Sequence, residues 1–268
     1  LGDVYKRQPD TLIHGDTVRA ILFSASDVAG NADTFNIEGM FIVDLSPPYV
    51  RAFPPESTVI TIPSPSFRIE FIDSPAGVDT ATIVIVINGD TVSFLWADSG
   101  AVVDCRAEGI TFADRETVTV CVSAADLAGI CPANVMAETC FTYFVNLSGP
   151  VATIISPARW DFNACDSTEQ NIVMTIFDAD GVDTLTIVFV VEGDTFTIAS
   201  PELEFSNDTL TFTPSSPWRD GDTVCATLVS AQDVFRNDIA YPVEWCFVMD
   251  LSPPTLGSPS PSDSSIVT

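Results

Sequence analysis

Gly15-Asp-Thr-Val18, Ser24-Ala-Ser-Asp27 and Asp44-Leu-Ser-Pro-Pro48 form a set of three short motifs that this chain repeats. The second copy reads Glu116-Thr-Val118, Ser123-Ala-Ala-Asp126 and Asn146-Leu-Ser-Gly-Pro150. The third copy reads Gly221-Asp-Thr-Val224, Ser230-Ala-Gln-Asp233 and Asp250-Leu-Ser-Pro-Pro254. The Leu-Ser pairs begin at Leu45, Leu147 and Leu251. A period of about 100 residues, closed each time by a proline-containing segment, predicts tandem domains.

The repeat divides the 268 residues into units. We expect residues 9–48 to be the C-terminal half of one domain, 49–150 and 151–254 to be complete domains, and 255–268 to start a further one. The last assignment depends on Pro261-Ser-Asp-Ser-Ser-Ile-Val-Thr268, which matches Pro54-Pro-Glu-Ser-Thr-Val-Ile-Thr61 in chemical type at each position. The chain is therefore interpreted as a fragment of a longer protein.

The first eight residues do not fit the repeat. Asp3-Val-Tyr-Lys-Arg-Gln8 reads back into the codons GAT GTG TAT AAG AGA CAG, which resemble the end of a transposase-type sequencing adapter. We interpret 1–8 as an artefact and exclude it from fold reasoning. Removing Asp3, Lys6 and Arg7 from the 37 acidic and 10 basic residues leaves 36 acids against 8 arginines and no lysine.

This strongly acidic balance excludes some partners. Nucleic acids and anionic membrane surfaces bind clustered cations, so neither is predicted as a partner. The charge favours solubility and the attraction of divalent cations, and a solvated, self-repelling surface is the simpler alternative explanation. The longest apolar runs, Ile83–Ile87 and Ile187–Val191, have the length of strands and are far too short to insert into a membrane.

Within each unit the apolar residues follow a period of two. Phe67, Ile69 and Phe71 alternate with Arg68 and Glu70, and turn-forming dipeptides separate such runs. Many short strands at this spacing predict an all-β fold of tandem immunoglobulin-like antiparallel β-sandwiches. In the first complete domain the predicted strands are A at 50–62, B at 66–72, C at 80–88, C′ at 90–96, E at 107–112, F at 116–124 and G at 139–146.

Two of these motifs carry a resemblance. Ala25-Ser-Asp-Val-Ala-Gly-Asn31, followed by Val43-Asp-Leu-Ser-Pro-Pro48, resembles the bacterial Ig-like (Big/Bap-type) repeats of large secreted and surface proteins. That family carries an Ala-x-Asp-x-Ala-Gly-Asn turn after strand F and a Val-Asp-x-x-x-Pro linker. Asp233-Val-Phe-Arg-Asn237 and the linker residue Asn146 depart from the pattern. The resemblance implies an extracellular or cell-surface location and neighbouring repeats as partners.

The chain has seven cysteines, at positions 105, 121, 131, 140, 165, 225 and 246. The lack of a Cys-x-x-Cys pair and the single histidine argue against a zinc site. In domains of this kind several cysteines indicate disulfides and an oxidising compartment. Cys121 on strand F and Cys140 on strand G form one candidate pair. Cys165 is a candidate to pair with Cys225 or with Cys246, and buried free thiols are the alternative.

The loops carry many aspartates. In an immunoglobulin topology the B–C and F–G loops lie at the same end of the domain as its N-terminal linker. Calcium takes six to eight oxygen ligands, and the resemblance to bacterial Ig-like adhesins implies calcium at such joints. The alternative is that these residues only form turns. The candidate ligands are Asp44, Asp73, Asp79 and Asp126 at one joint and Asn146, Asp178, Asp180, Asp183 and Asp233 at the next.

The sequence offers little for catalysis. A nucleophilic triad needs a histidine inside a complete domain, and His14 lies in the partial one, so we predict no enzyme. The predicted function is a structural spacer or stalk in a large secreted or cell-surface, adhesin-like protein. The alternative is a carbohydrate- or protein-binding module, accessory to a secreted enzyme. Buried tryptophans would favour the spacer, and an exposed row of Trp or Tyr would favour the binding module.

Overall fold

A computed structural model of the chain describes residues 11–129, 132–165, 170–258 and 260. Every regular element within these ranges is a β-strand. A helix long and apolar enough to cross a membrane is absent from the same ranges. The chain forms two compact units, Leu1–Asn146 and Leu147–Thr268.

The first unit contains an antiparallel hairpin of β1 (Thr17–Ser26) and β2 (Ala32–Ile42). Neither strand has a buried residue, and large apolar side chains such as Phe23 and Met40 are about two-thirds exposed, at 67% and 68%. Two strands that lack a facing sheet present such a surface. The assignment of 9–48 to half a domain stays a prediction.

A sandwich of two sheets follows in the same unit. One sheet has the strand order β3-β5-β9-β8 and the other has the order β4-β11-β10-β6-β7. Phe67, Ile69, Ile85, Val120 and Tyr143 are almost fully buried between them. The strands are β3 (Tyr49–Phe53), β4 (Val59–Ile60), β5 (Ser66–Ile72), β6 (Val78–Ile87), β7 (Asp90–Thr91), β8 (Leu95–Ala97), β9 (Gly100–Asp104), β10 (Thr117–Asp126) and β11 (Thr139–Val145).

The second unit is a sandwich of the same topology. Its sheets have the orders β12-β14-β18-β17 and β13-β20-β19-β15-β16. Its core is built around Phe189, Phe247 and Trp245. The strands are β12 (Val151–Ser156), β13 (Phe162–Asn163), β14 (Ile172–Phe177), β15 (Val182–Val191), β16 (Asp194–Phe196), β17 (Leu203–Ser206), β18 (Thr209–Phe212), β19 (Thr223–Asp233) and β20 (Val243–Met249).

The first strand of each sandwich is split between the two sheets. In the first unit β3 pairs with β5 in antiparallel fashion, whereas β4 pairs with β11 in parallel. In the second unit β12 and β13 divide in the same way. Proline residues lie at both breaks, Pro54 and Pro55 in one unit and Pro157 in the other. Because proline has no amide hydrogen, it interrupts the ladder at the point where the chain changes sheet.

Two predicted strands of the first complete domain are wrong. Strand E is β9, not 107–112, because Cys105 to Ile110 form a turn closed by the Ile110 amide on the Cys105 carbonyl at 2.7 Å. The predicted C′ strand at 90–96 divides into β7 and β8, which lie in opposite sheets. The Ser99-Gly100 pair reads as a turn in sequence, but Gly100 is buried and begins a strand.

Candidate metal centre at the first linker

The carboxylates of Asp44, Asp73 and Asp126 converge at one end of the first sandwich. Asp44 follows β2, Asp73 follows β5 in the B–C loop, and Asp126 is the last residue of β10. One oxygen atom from each carboxylate lies within 4.8 Å of the other two. We call these three residues the linker carboxylate group. The immunoglobulin topology brings them together because it places the B–C and F–G loops beside the incoming linker.

Asp44 is held by backbone amides of two segments. Its Oδ1 accepts the Ser46 amide at 3.1 Å, and its Oδ2 accepts the Ala76 amide of the B–C loop at 2.8 Å. His14 Nδ1 lies 3.2 Å from Oδ1 and accepts the Leu45 amide at 3.3 Å. The side chain of Asp44 is only 4% exposed.

Asp126 closes the F–G loop through Asn134. Its Oδ1 accepts the Asn134 backbone amide at 2.8 Å, and its Oδ2 accepts the Asn134 side-chain amide at 2.6 Å. The same side-chain nitrogen donates to the Asp44 carbonyl at 3.3 Å, which joins the loop to the linker. Asn134 was not among the residues predicted from the sequence. The signal was present, because Asn31 and Asn237 end the corresponding loops.

The same Asp-to-Asn contact occurs in the other two copies. Asp27 accepts the Asn31 amide at 2.9 Å and its side-chain nitrogen at 2.8 Å. Asp233 accepts both groups of Asn237 at 2.8 Å. This contact needs no metal, so it gives these aspartates a structural role of the turn-forming kind.

Asp73 differs from its two neighbours. Its Oδ2 is buried and has no hydrogen-bond partner. Burial, together with the negative charges of Asp44 and Asp126, raises the pKa of the Asp73 carboxyl above its ordinary value, although the Gly77 and Ser74 amides partly offset this. A buried carboxylate oxygen without a donor costs folding free energy unless a cation or a proton compensates it.

Asp79 lies outside the linker carboxylate group. It is on β6 opposite Ala125, and its Oδ1 accepts the Ala81 amide at 3.0 Å. Asp183 has the same role on β15, where its Oδ1 accepts the Leu185 amide at 3.1 Å. Each carboxylate thus accepts a backbone amide at the start of strand C, where the strand pairing is irregular.

The second predicted set of ligands forms no comparable group of acidic side chains among the described residues. Asp178 accepts the Asp180 amide at 2.9 Å within the B–C turn. Asp233 is fully buried and bonded to the Phe235 amide in addition to Asn237. For Asn146, Asp178, Asp180, Asp183 and Asp233 the metal role stays a prediction.

An open apolar cleft of about 520 Å³ borders Asp44. It is lined by the linker, the B–C loop and the F–G loop, including Leu12, Phe41, Pro75 and Leu127. Apolar walls lower the local dielectric constant, which strengthens both the repulsion among the carboxylates and the attraction of any cation to them.

The donor set of the group indicates which ion it suits. Carboxylate and carbonyl oxygens are the ligands of hard cations such as Ca²⁺, and no sulfur or imidazole nitrogen is offered except His14 Nδ1. Cys121, Glu138 and Cys140 form another cluster with metal-binding side chains, but its sulfurs are joined to each other and are not thiolates.

The cysteine pairing differs in part from the prediction. The structure joins Cys121 to Cys140, the candidate pair of the first domain, and joins Cys225 to Cys246. The proposed pairing of Cys165 is wrong, since Cys225 and Cys246 lie directly opposite each other on β19 and β20 and Cys165 is an exposed free thiol. Cys105 is a buried free thiol, and Cys131 lies outside the described residues.

The four tryptophans do not form one exposed row. Trp245 is buried, and Trp218 is half-buried and packs on Phe212 and Phe247. Trp96 and Trp160 are exposed but belong to different units. Two of the four side chains therefore serve the core of the second sandwich.

Comparison with known proteins assigns the chain to no family. No family model matches the chain, and no curated protein matches it significantly. A solved structure of a 1.5-MDa bacterial ice-binding adhesin is 17% identical, with a TM-score of 0.43, and the match covers 85% of this chain and 73% of that one. The strand orders of the two sandwiches are those of the immunoglobulin-like fold.

Two further solved structures match most of the chain. Fibronectin(III)-like modules of Clostridium thermocellum CbhA are 12% identical, with a TM-score of 0.32, over 78% of this chain and 100% of that chain. Human protocadherin-24 EC1-2 is 12% identical, with a TM-score of 0.39, over 78% of this chain and 99% of that chain.

Proposed function

We propose that this chain is a spacer segment of a secreted or cell-surface protein, in which the joint at the first linker is stiffened by bound calcium. The repeat and the sandwich fold support the spacer, since each unit is a compact body followed by a short proline-containing linker. Two cross-strand disulfides support an oxidising compartment outside the cytoplasm. The partners of a spacer are the neighbouring repeats of its own chain.

The observation that carries the calcium proposal is the buried, unpartnered Oδ2 of Asp73 inside the linker carboxylate group. Three negative charges within 4.8 Å repel one another unless a cation sits among them. A Ca²⁺ ion bound there would take oxygens from Asp44, Asp73 and Asp126 and complete its shell with carbonyls or water. It would tie the linker to the B–C and F–G loops of the unit that it enters.

Thermal unfolding of the full chain with calcium and with a chelator tests the proposal. Binding to the folded state alone stabilises it by about 0.4 kcal/mol when free calcium equals the dissociation constant, and by about 1.4 kcal/mol at ten times that constant. For extracellular calcium modules that constant is on the order of 0.1–1 mM. We therefore expect a higher unfolding midpoint in millimolar calcium.

The variant Asp73→Asn distinguishes a calcium-binding role of Asp73 from a purely structural role. The raised pKa means that the ionised carboxylate costs stability at neutral pH, so the variant is expected to be at least as stable as the natural chain in chelator. It should also lose most of the calcium response. A purely structural aspartate would instead leave the variant less stable in both conditions.

Asp79→Asn is the matched control, because it removes the same charge from the neighbouring strand outside the linker carboxylate group. We expect it to keep the calcium response. A double Asp178→Asn/Asp180→Asn variant reports on the second predicted set. If the midpoint of the natural chain is the same in calcium and in chelator, the calcium proposal fails and the spacer rests on the repeat alone.

A further inference from the structure

Asp220 holds the first residues of the third linker. Strand β20 ends at Met249, and the chain then continues into Asp250-Leu-Ser-Pro-Pro254. Asp220 Oδ1 accepts the Leu251 amide at 2.6 Å and the Ser252 amide at 3.1 Å. Asp220 Oδ2 accepts the Ser252 hydroxyl at 2.6 Å. One carboxylate thus receives three hydrogen bonds from two consecutive linker residues, which we call the exit contact.

The turn that carries Asp220 is itself fixed to the end of β20. The Gly221 amide donates to the Met249 carbonyl at 2.8 Å, and the Met249 amide donates to the Asp222 carbonyl at 2.8 Å. Asp222 Oδ2 accepts the Arg219 amide at 2.7 Å, which closes the turn across Asp220. Gly221 has a φ of 82°, a conformation that favours glycine. The turn therefore places the Asp220 carboxylate next to the point where the linker leaves β20.

The first copy of the repeat has the same arrangement with a different acceptor. His14 precedes Gly15 as Asp220 precedes Gly221, and its Nδ1 accepts the amide of Leu45, the counterpart of Leu251. The Gly15 amide donates to the Val43 carbonyl at 2.8 Å, as the Gly221 amide does to Met249. The recurrence of the contact with two different side chains indicates that the position, and not the residue type, is what the repeat preserves.

The middle copy preserves the same backbone frame. The Arg115 amide donates to the Val145 carbonyl at 2.8 Å, and the Val145 amide donates to the Glu116 carbonyl at 2.9 Å. Asp114 occupies the position of Asp220 in this frame. Asp114 is therefore the turn residue that precedes strand F in the middle copy, as His14 and Asp220 are in the other two.

We infer that the residue before the first and third Gly-Asp-Thr-Val motifs, His14 and Asp220, fixes the direction in which the linker leaves its own unit, by accepting the amide of the linker leucine. This contact needs no metal. It lies at the end of a unit from which a linker leaves, whereas the linker carboxylate group lies at the end of a unit that a linker enters. Only the mechanical role of this contact depends on the proposed spacer function. Asp220 is exposed, so water competes for its carboxylate oxygens. We therefore expect the exit contact to order the linker locally and to add little to the free energy of unfolding.

Hydrogen exchange of the full chain, followed amide by amide, tests the exit contact. In Asp220→Ala we expect the Leu251 and Ser252 amides to exchange at least about tenfold faster, because hydrogen bonds to charged acceptors are the stronger ones. The amides of β19 and β20 should keep their protection, which shows that the unit still folds. Ser252→Ala, which removes only the hydroxyl donor, should give a smaller acceleration.

Glu204→Ala is the matched control, since it removes an exposed acid from β17 of the same unit. It should leave the exchange rates of the Leu251 and Ser252 amides unchanged. The measurement is repeated with calcium and with chelator, and protection of these two amides should be equal in both, so that this result is independent of the calcium proposal. Unaltered exchange at Leu251 and Ser252 in Asp220→Ala, with β20 intact, would overturn the inference.

Discussion

Tyr143 and Trp245 are the buried aromatic residues that tie the last strand of each sandwich to its first. The Tyr143 hydroxyl donates to the Pro54 carbonyl at 2.9 Å, and Trp245 Nε1 donates to the Pro157 carbonyl at 3.1 Å. Both prolines lie where the first strand changes sheet. A large aromatic group with one polar atom can fill the core and satisfy the carbonyl exposed at this break.

Tyr143 makes the first unit sensitive to alkaline pH. Burial, with a smaller contribution from the charge of Glu56, raises its pKa from 10.0 to about 12. A folded-state pKa above the unfolded one stabilises the fold fully below pH 10, and this stabilisation is lost as the pH rises towards 12. We expect the absorbance of tyrosinate in the folded chain to include a late step from Tyr143.

Tyr143→Phe should abolish that late titration and lower the stability at neutral pH by about 1–3 kcal/mol, because the Pro54 carbonyl loses its buried partner. Tyr241→Phe is the control, since Tyr241 is 81% exposed. It should leave the late step in place. Titration of every tyrosine near its ordinary pKa, without a late step, would contradict the burial argument.

The F–G loop of the second unit determines which residue type fits at position 149 of the linker. A Cβ atom at this position would lie 2.1 Å from the Asp238 carbonyl oxygen and 2.6 Å from that of Asn237. The linker backbone therefore passes directly against the F–G loop of the second unit. This close approach explains why the second copy has Gly149 where the first and third have a proline.

At the scale of elements, the hairpin of strands F and G carries the disulfide in both sandwiches. Cys121 lies opposite Cys140 on β10 and β11, and Cys225 lies opposite Cys246 on β19 and β20. The two bridges are not at the same register. Thr117 and Thr223 are equivalent starts of strand F, so the second bridge lies two residues closer to that start. Each bridge closes the F–G loop from the outer face of its sheet.

Removal of the first bridge should weaken the first sandwich without leaving a hole in its core. Cys121 and Cys140 are half-buried and exposed, respectively, and are 19 residues apart. A loop of this length gives a loss of about 3 kcal/mol on the chain-entropy model. Chemical denaturation of Cys121→Ser/Cys140→Ser measures it. Cys165→Ser, which replaces an exposed free thiol, should be neutral, and equal stability of all three chains would refute the assigned role of the bridge.

At the scale of the whole molecule, charge repulsion opposes folding. The net charge of the chain is −27, with 37 acidic residues against 10 basic ones, so most acidic side chains cannot be paired with a basic one. Like charges on a compact body repel one another more than in an extended chain. Salt screens this repulsion, because the Debye length falls from about 8 Å at 0.15 M to about 3 Å at 1 M.

We therefore expect monovalent salt to stabilise the chain. In the presence of a chelator, raising sodium chloride from 0.15 M to 1 M should increase the unfolding midpoint by roughly 4–8 °C, which corresponds to a gain of about 1 kcal/mol for a domain of about 100 residues. Potassium chloride should act equally, which separates screening from specific ion binding. A midpoint that stays constant or falls would show that surface repulsion does not limit the fold.

The sequence by itself determined the all-β class, the immunoglobulin-like topology and the loops in which the candidate ligands lie. Strands such as β5 and β10 are readable because alternation with period two is a local property of the chain, and the repeat adds a second and third observation of the same motif. The convergence of Asp44, Asp73 and Asp126 was predictable for the same reason, since topology alone places those loops together.

Only the tertiary structure decided which side chains meet. The exclusion of Asp79, the unpartnered oxygen of Asp73 and the pairing of Cys225 with Cys246 depend on register and burial. The short strand β9 also escaped prediction, because a five-residue strand that begins at Gly100 has no periodic signal long enough to outweigh a turn dipeptide. Contacts between residues far apart in sequence, such as Gly149 with Asp238, are fixed by packing and leave no local trace in the chain.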